Sequence, residues 1–227
     1  MAERALFDEW PERYEQWFTT PIGELVRQVE GGLIEKMLAP ARAESILDAG
    51  CGTGVFTTDM VEAGARVVGL DISASMLKFA RRKTNSPFSV VRGDMLHLPF
   101  VDGCFDKSVS ITALEFIADG RQAIDELFRV TRPGGVVVVA TLNSLSPWAE
   151  RRAAKTAKGQ RHILENAFYR SPEELLALSA VRGIARTVVH FRKDDDPKKA
   201  IVTERMANSL GLNTGAFVAA RWRKPSL

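Results

Sequence analysis

The sequence predicts an α/β protein with a doubly wound, mostly parallel sheet of seven strands. Short apolar segments typical of strands alternate with amphipathic segments typical of helices through the middle of the chain. A glycine-rich loop at residues 50–54 follows the first strand, and four consecutive valines at 136–139 have the composition of a strand buried on both faces. In such sheets the crossovers are right-handed and ligands bind at the carboxyl ends of the strands.

The individual elements follow from apolar periodicity and from residues that begin or end helices. Five strands are predicted before residue 142, at 45–49, 66–71, 88–92, 107–111 and 136–139. Helices are predicted between them at 56–63, 73–83 and 121–130. Gly64 ends the first helix, Ser73 caps the second, and Pro133-Gly-Gly135 interrupts the pattern before the last strand. Two closing strands, 184–190 and 216–222, complete the seven, with a charged turn and a short helix between them.

Length and pattern predict one domain with two elaborations. Residues 1–40 form a predicted N-terminal helical lid, in which an aromatic stripe precedes a second amphipathic helix; the stripe consists of Trp10, Tyr14, Trp17 and Phe18. This helix pair either covers the sheet or closes over a ligand, and the two interpretations are compatible. Residues 41–227 form the predicted ligand-binding domain, with an insert at about 143–180.

Composition excludes several classes of protein. With 45% apolar and 26% charged residues, the chain is neither disordered nor fibrous. Acidic and basic residues are interspersed and sum to +3, so no basic stripe for nucleic acid stands out. Two cysteines do not make a disulfide scaffold, and the start of the chain lacks the apolar run of a signal peptide. We expect a cytoplasmic protein without a membrane span, a metal site or a nucleic-acid substrate.

The glycine loop narrows the range of ligands that the site could bind. A dinucleotide site requires G-x-G-x-x-G, but counting from Gly50 the third position is Val55. The G-x-x-x-x-G-K-[ST] loop of nucleotide hydrolases is absent. Asp48 at the mouth of the loop would repel a pyrophosphate but would suit an ammonium or a sulfonium. Asp71, which follows Gly50 by 21 residues, stands where a carboxylate accepts hydrogen bonds from a ribose. These features favour S-adenosyl-L-methionine (SAM).

Five ordered motifs resemble those of the class I SAM-dependent methyltransferases. They are LDAGCGTG at 47–54, VVGLDIS at 67–73, GDMLHLPF at 93–100, FDKSVSITALEF at 105–116 and RPGGVVVV at 132–139. The small-molecule branch, which includes methyltransferases of the ubiquinone and menaquinone pathways, is the most similar. The resemblance implies a Rossmann-like methyltransferase fold, SAM as methyl donor, S-adenosyl-L-homocysteine as product and a small-molecule acceptor.

The resemblance also implies roles for particular residues. The loop would hold the methionine end of SAM, a carboxylate its ribose, and a further group its adenine, with the lid contributing two aromatic rings. The implied cofactor-binding residues are Asp48, Ala49, Gly50, Cys51, Gly52, Asp71, Ile72, Met76, Asp94, Met95, Ile111, Thr112, Ala113, Tyr14 and Trp17.

Candidates for catalysis are fewer, because methyl transfer from a sulfonium mainly requires orientation and the exclusion of water. Glu115 is the first candidate for a general base, and His162 and Tyr169 in the insert are further ones. A basic run at 151–161 is either a solvated helix face or a contact for an acidic acceptor or an anionic membrane surface. The alternatives to a small-molecule methyltransferase are a non-catalytic SAM-binding homologue, an RNA or protein methyltransferase, and a nicotinamide-dependent oxidoreductase. The oligomeric state is left open.

Overall fold

The computed structural model describes residues 7–83 and 88–226. The first six residues of the predicted lid lie outside this range. Within it, seven strands pair into one sheet: β1 (Ser45–Ala49), β2 (Arg66–Asp71), β3 (Phe88–Arg92), β4 (Phe105–Ile111), β5 (Thr131–Leu142), β6 (Gly183–Val188) and β7 (Phe217–Arg223). Their order is β3-β2-β1-β4-β5-β7-β6. The first five strands are parallel, whereas β7 runs antiparallel to both β5 and β6. The predicted fold class is confirmed.

Eight α-helices connect or cover these strands in the described part of the chain. They are α1 (Pro11–Phe18), α2 (Pro21–Leu38), α3 (Thr57–Glu62), α4 (Ala74–Lys83), α5 (Gly120–Val130), α6 (Pro147–Ala157), α7 (Pro172–Leu176) and α8 (Pro197–Ser209). Proline at the first helical position and a capping side chain explain many of their starts. Thr20 and Ser73 accept hydrogen bonds from the amides of Gly23 and Met76, respectively, and Ser171 forms a capping box with Glu174. No helix among the described residues has the length and apolarity needed to cross a membrane.

The core lies on both faces of the sheet, as the alternation along each strand requires. Ile46 and Val138 face a layer that contains α2, whereas Leu47 and Val137 face a layer that contains α5. All four side chains are fully buried, each contributing about 1.5–3 kcal/mol by the usual scale for apolar burial. Helix α2 is therefore part of the domain core, and the predicted division at residue 40 remains a prediction.

A long-range hydrogen bond ties α2 to the last strand of the sheet. The Nε of Arg221 on β7 donates to the carbonyl oxygen of Met37 at 2.9 Å, joining residues 184 positions apart. Met37 and Leu38 are buried beside this contact. The second N-terminal helix is thus fixed at its carboxyl end by β7.

Several predicted strand boundaries were wrong: β4 begins at Phe105 and not at residue 107, and β5 ends at Leu142 and not at residue 139. The start of β5 is displaced furthest. β5 begins at Thr131, before Pro133-Gly-Gly135, because Thr131 pairs with Phe105 and the register then shifts at a bulge. A β-carbon on Gly135 would lie 2.5 Å from the carbonyl oxygen of Asp106, so glycine lets the strand continue past this close approach.

The predicted end of β6 was also wrong, because the strand stops at Val188 and not at residue 190. Val189 has a φ of 67°, a left-handed conformation that a β-branched residue rarely adopts. Glu204 of α8 accepts hydrogen bonds from the backbone amides of Val189 and His190, at 3.2 and 2.6 Å. These bonds hold the bend that ends the strand.

Candidate active site

A cavity of about 1250 Å³ opens at the carboxyl ends of β1, β2 and β4, beneath α1 and α6. We name its two halves after the ligands that the sequence analysis predicts for them. The cofactor half is lined by the glycine loop, by the ends of β2 and β4, and by residues 93–96. The acceptor half is lined by α1, α2 and α6, by residues 162–164, by Val189 and by residues 192–194. The position agrees with the general rule that open α/β sheets bind ligands at the ends of their strands.

The glycine loop makes a close backbone approach to the end of β4. The amides of Gly50 and Cys51 both donate to the carbonyl oxygen of Leu70, at 2.6 and 3.0 Å. Gly50 has a φ of 79°, and a β-carbon there would lie 2.4 Å from the β-carbon of Ala113. This cradle can form only with glycine at position 50, and it leaves the backbone open to a ligand.

Asp71 lies at the end of β2 with both carboxylate oxygens oriented by backbone amides. Oδ2 accepts from Gly52 and Oδ1 from Ser73, each at 2.8 Å. Burial raises the pKa of Asp71, while the hydrogen bonds from Ser73 and Gly52 favour its charged form. Each oxygen retains a further acceptor position, so the carboxylate fits a pair of ribose hydroxyls.

Asp48 gives the cofactor half a second carboxylate. It is 2% exposed and accepts a hydrogen bond of 2.6 Å from the hydroxyl of Thr57. Burial raises its pKa to about 7, although the bond from Thr57 opposes the rise. A cationic ligand in the cavity would favour the charged form, so this site suits an ammonium or sulfonium better than a phosphate.

The part of the cavity that is predicted to hold adenine combines apolar and polar groups. Met76 and Met95 are buried, whereas the Ile72 side chain is 56% exposed at the edge of the cavity. The Oδ1 of Asp94 accepts from the amide of Leu96 at 2.9 Å, which fixes the carboxylate beside the cavity. A flat apolar ring with an exocyclic donor fits this arrangement.

Helix α1, which belongs to the predicted lid, is tied to the cofactor half by side-chain hydrogen bonds. The hydroxyl of Thr53 in the glycine loop donates to the carboxylate of Glu15, which also pairs with Lys83 of α4 at 2.6 Å. Asp8, which precedes α1, accepts a hydrogen bond of 2.6 Å from the hydroxyl of Ser73. These contacts hold the aromatic residues of α1 over the cavity.

Glu115 lies where the two halves meet, on a 3₁₀ turn, Leu114–Phe116, after β4. It is 1% exposed, and its Oε2 accepts from the hydroxyl of Thr141 at 3.0 Å. Burial raises its pKa to about 7. The buried guanidinium of Arg170 donates to the carbonyl oxygens of Leu114 and Ile117, so the turn that carries Glu115 is held from behind.

Glu30 is a second buried carboxyl group in the acceptor half. It is 8% exposed, and among the described residues its carboxylate has no hydrogen bond or ion pair. Burial raises the pKa of Glu30 to about 8, and the charge of Glu115 adds to the rise. Sequence analysis missed this residue. The available signal was a glutamate on the apolar face of α2, between Val26 and Ile34 at helical spacing.

Aromatic rings and one guanidinium form the wall of the acceptor half. Trp17 of α1 meets Trp148 of α6 edge to face, with 6.4 Å between ring centroids. The guanidinium carbon of Arg152 lies 5.5 Å from the ring centroid of Trp148 and 5.9 Å from that of Tyr169. No carboxylate of the described residues lies within 4.0 Å of the Arg152 guanidinium, although it lines the cavity. The charge of Arg152 lowers the pKa of Glu30 and of Glu115, but Arg152 is ion-paired with neither, so it is available to an anionic ligand.

The sequence and the fold of this chain are similar to those of known proteins. Residues 47–139 match the family model described as a methyltransferase domain. A malonyl-[acyl-carrier protein] O-methyltransferase of Pectobacterium atrosepticum is 34% identical over 180 residues, which cover 69% of this chain and 71% of the relative. This chain belongs to the SAM-dependent methyltransferases. It is an enzyme of the class I small-molecule branch, with SAM as methyl donor.

Two further comparisons agree with the assignment of this methyltransferase. A demethylmenaquinone methyltransferase of Corynebacterium kroppenstedtii is 38% identical over 109 residues, covering 48% of this chain and 46% of the relative. The crystal structure of a SAM-dependent methyltransferase from Thermotoga maritima has the same fold, with a TM-score of 0.69 at 22% identity. That likeness covers 96% of this chain and 98% of the other.

The structure brings most of the predicted site residues of the methyltransferase to one cavity. The cofactor-binding candidates that line it are Asp48, Gly50, Cys51, Gly52, Asp71, Ile72, Met76, Asp94, Met95, Ile111, Thr112, Ala113, Tyr14 and Trp17. Ala49 is buried in the core beneath the loop and does not line it. Of the catalytic candidates, Glu115 and His162 line the cavity, whereas Tyr169 does not line it and contacts the guanidinium of Arg152. Their roles stay predictions.

Proposed function

We propose that this methyltransferase esterifies a carboxylate carried at the end of an apolar chain. The observation that carries the proposal is the Arg152 guanidinium, which lines the acceptor half without a carboxylate partner among the described residues. A guanidinium flanked by aromatic rings is well suited to orient a carboxylate. The name of the Pectobacterium relative, an O-methyltransferase, supports an oxygen acceptor.

The two buried acids are consistent with an anionic acceptor. With pKa values of about 8 for Glu30 and about 7 for Glu115, both groups bind protons readily near neutral pH. A protonated carboxyl can donate a hydrogen bond to the acceptor carboxylate, whereas a charged one would repel it. Bound SAM supplies an electrophilic methyl group on a sulfonium. A carboxylate nucleophile has no proton to lose, so Arg152 and the aromatic wall have only to orient it and exclude water.

The lid and the insert complete this proposal. Both contribute walls to the acceptor half, which supports the predicted lid at 1–40 and the predicted acceptor-pocket insert at about 143–180. We expect the enzyme to work in the cytoplasm on a free or carrier-linked small molecule, and not on nucleic acid.

Replacing Arg152 with glutamine tests the proposal. We expect kcat/KM for carboxylate acceptors to fall about 10- to 100-fold, because a charge-assisted hydrogen bond contributes about 1.5–3 kcal/mol. Affinity for S-adenosyl-L-homocysteine should not change, because Arg152 lies outside the cofactor half. Arg161→Gln is the matched control, since Arg161 is exposed and does not line the cavity. Equal activity of the two variants on every carboxylate tested would refute the proposal.

A second candidate function is methylation of a protic acceptor with Glu115 as general base. It is favoured by the pKa of Glu115, about 7, since a base works best when its pKa is near the working pH. This mechanism needs the charged form, so kcat/KM would fall as the pH drops below about 7. The carboxylate mechanism needs the neutral form, so kcat/KM would fall as the pH rises through about 7 to 8.

Glu115→Gln separates these two mechanisms by the same measurement. In a carboxylate mechanism the neutral amide retains most of the activity and weakens the loss at alkaline pH. In a base mechanism the kcat/KM of the variant falls about 100-fold or more, which is within the usual range for the loss of a general base. Steady-state kinetics from pH 5.5 to 9, with S-adenosyl-L-homocysteine affinity as the control for folding, decides between them.

A further inference from the structure

Four cations stand together at the mouth of the acceptor half. Arg151 and Lys155 come from α6, and Arg192 and Lys193 from the segment after β6, and all four line the cavity. We call this group the cationic rim. Arg151 pairs with Asp194 at 3.0 Å, but among the described residues no carboxylate lies within 4.0 Å of the side-chain cations of the other three. The Asp195 carboxylate accepts from the backbone amide of Arg192, and Glu150 also lines the cavity, so two acidic residues of the lining, Asp194 and Glu150, stand against four cations. The rim therefore holds a surplus of positive charge over one opening.

The cations of the rim surround one opening of the cavity instead of being spread over the surface. The ammonium of Lys193 lies 4.6 Å from the ring centroid of Trp17, at the wall of the cavity. Burial lowers the pKa of Lys193, and the charges of Lys155, Arg152 and Arg151 lower it further. Lys158, from the same basic run, is exposed and does not line the cavity. Self-repelling cations around one opening are typical of a site for a multiply charged anion.

We infer that the cationic rim binds a phosphate ester at the end of the acceptor opposite to the methylated group. The inference rests on the proposed function, because it assigns the inner end of the acceptor to Arg152 and the outer end to the rim. Lysine and arginine side chains from two elements suit phosphate, which carries more charge and more acceptor oxygens than a carboxylate. Between the two ends, Trp17 and Trp148 offer apolar surface for the intervening chain.

The test uses alkyl probes that differ only in the phosphate group. Octyl phosphate, its methyl diester and octanol are titrated against the protein while tryptophan fluorescence is followed, because Trp17 lies beneath Lys193. The variants are the double substitution Lys155→Gln/Lys193→Gln and the matched control Lys158→Gln. Binding of S-adenosyl-L-homocysteine by calorimetry, together with thermal unfolding, shows that each variant is folded.

We expect octyl phosphate to bind the wild type about tenfold or more tightly than octanol, and this preference to disappear in the double variant. Lys158→Gln should retain it. Tighter binding of octyl phosphate than of its methyl diester indicates that the acceptor is a free phosphorylated molecule. Tighter binding of the methyl diester indicates that the acceptor is an arm linked through its phosphate. Equal binding of octyl phosphate and octanol to the wild type, or an equal preference in all variants, would overturn the inference. Since these titrations need no turnover, failure of the carboxylate proposal is detected separately by the Arg152→Gln kinetics.

Discussion

Replacing Gly50 with alanine is expected to abolish measurable SAM binding and to destabilise the fold by about 2–4 kcal/mol. The φ of 79° at this position strains any residue with a β-carbon. The added carbon would also lie 2.4 Å from the β-carbon of Ala113, so the loop must move away from β4. That movement displaces the amides of Gly50 and Cys51 from the carbonyl oxygen of Leu70.

Gly52→Ala is the matched control for this experiment. Gly52 also has a positive φ, 53°, but a β-carbon there would meet no atom within 4 Å. We therefore expect only the backbone strain, about 1 kcal/mol, and a smaller loss of SAM affinity. Calorimetric titration with SAM and urea unfolding measure the two effects. Unchanged SAM affinity in a folded Gly50→Ala protein would show that the cofactor does not lie against this loop.

Replacing Glu30 with glutamine is expected to stabilise the protein at alkaline pH. Because the pKa of Glu30 is raised in the fold to about 8 from an ordinary 4.5, the folded state holds a proton that the unfolded state releases. The contribution of Glu30 to the free energy of unfolding is fully present below pH 4.5 and is lost as the pH rises through about 8. Glutamine never ionises, so the variant escapes this loss.

The expected difference is near zero at pH 5 and about 2–4 kcal/mol in favour of Glu30→Gln at pH 9. Urea unfolding at both pH values measures it. Glu35→Gln on the same helix serves as the control, because Glu35 is exposed to solvent. A difference that is the same at pH 5 and pH 9 would contradict the buried, proton-binding character of Glu30.

Glu30 also shows where sequence reasoning stops. The strands could be predicted because apolar runs such as Val136–Val139 specify burial by themselves, and the loop at 50–54 could be predicted because glycines and Asp48 carry their chemistry locally. Glu30 interrupts the apolar face of α2, but only the packing of α1 and α6 around it creates the cavity that it faces. A local pattern cannot specify a space enclosed by three distant segments.

Arg152 illustrates a second limit. In the basic run at 151–161, periodicity cannot decide which cations face solvent and which face a ligand, because both faces of the helix carry charge. The rings of Trp148 and Tyr169 make that choice by flanking one guanidinium. Likewise, the end of β6 depends on Glu204, a residue on another element that holds Val189 in a left-handed conformation.

The hydrogen bond from Arg221 to Met37 has a consequence for biogenesis. It joins positions 184 residues apart, and β7 must insert between β5 and β6 before the carboxyl end of α2 finds its partner. During translation, the apolar face of α2 therefore lacks its final packing surface until β7 has been synthesised. Such non-local closure slows folding and exposes the nascent chain to aggregation. The carboxyl end of α2 can consequently reach its final packing only after β7, one of the last elements along the chain, has been synthesised.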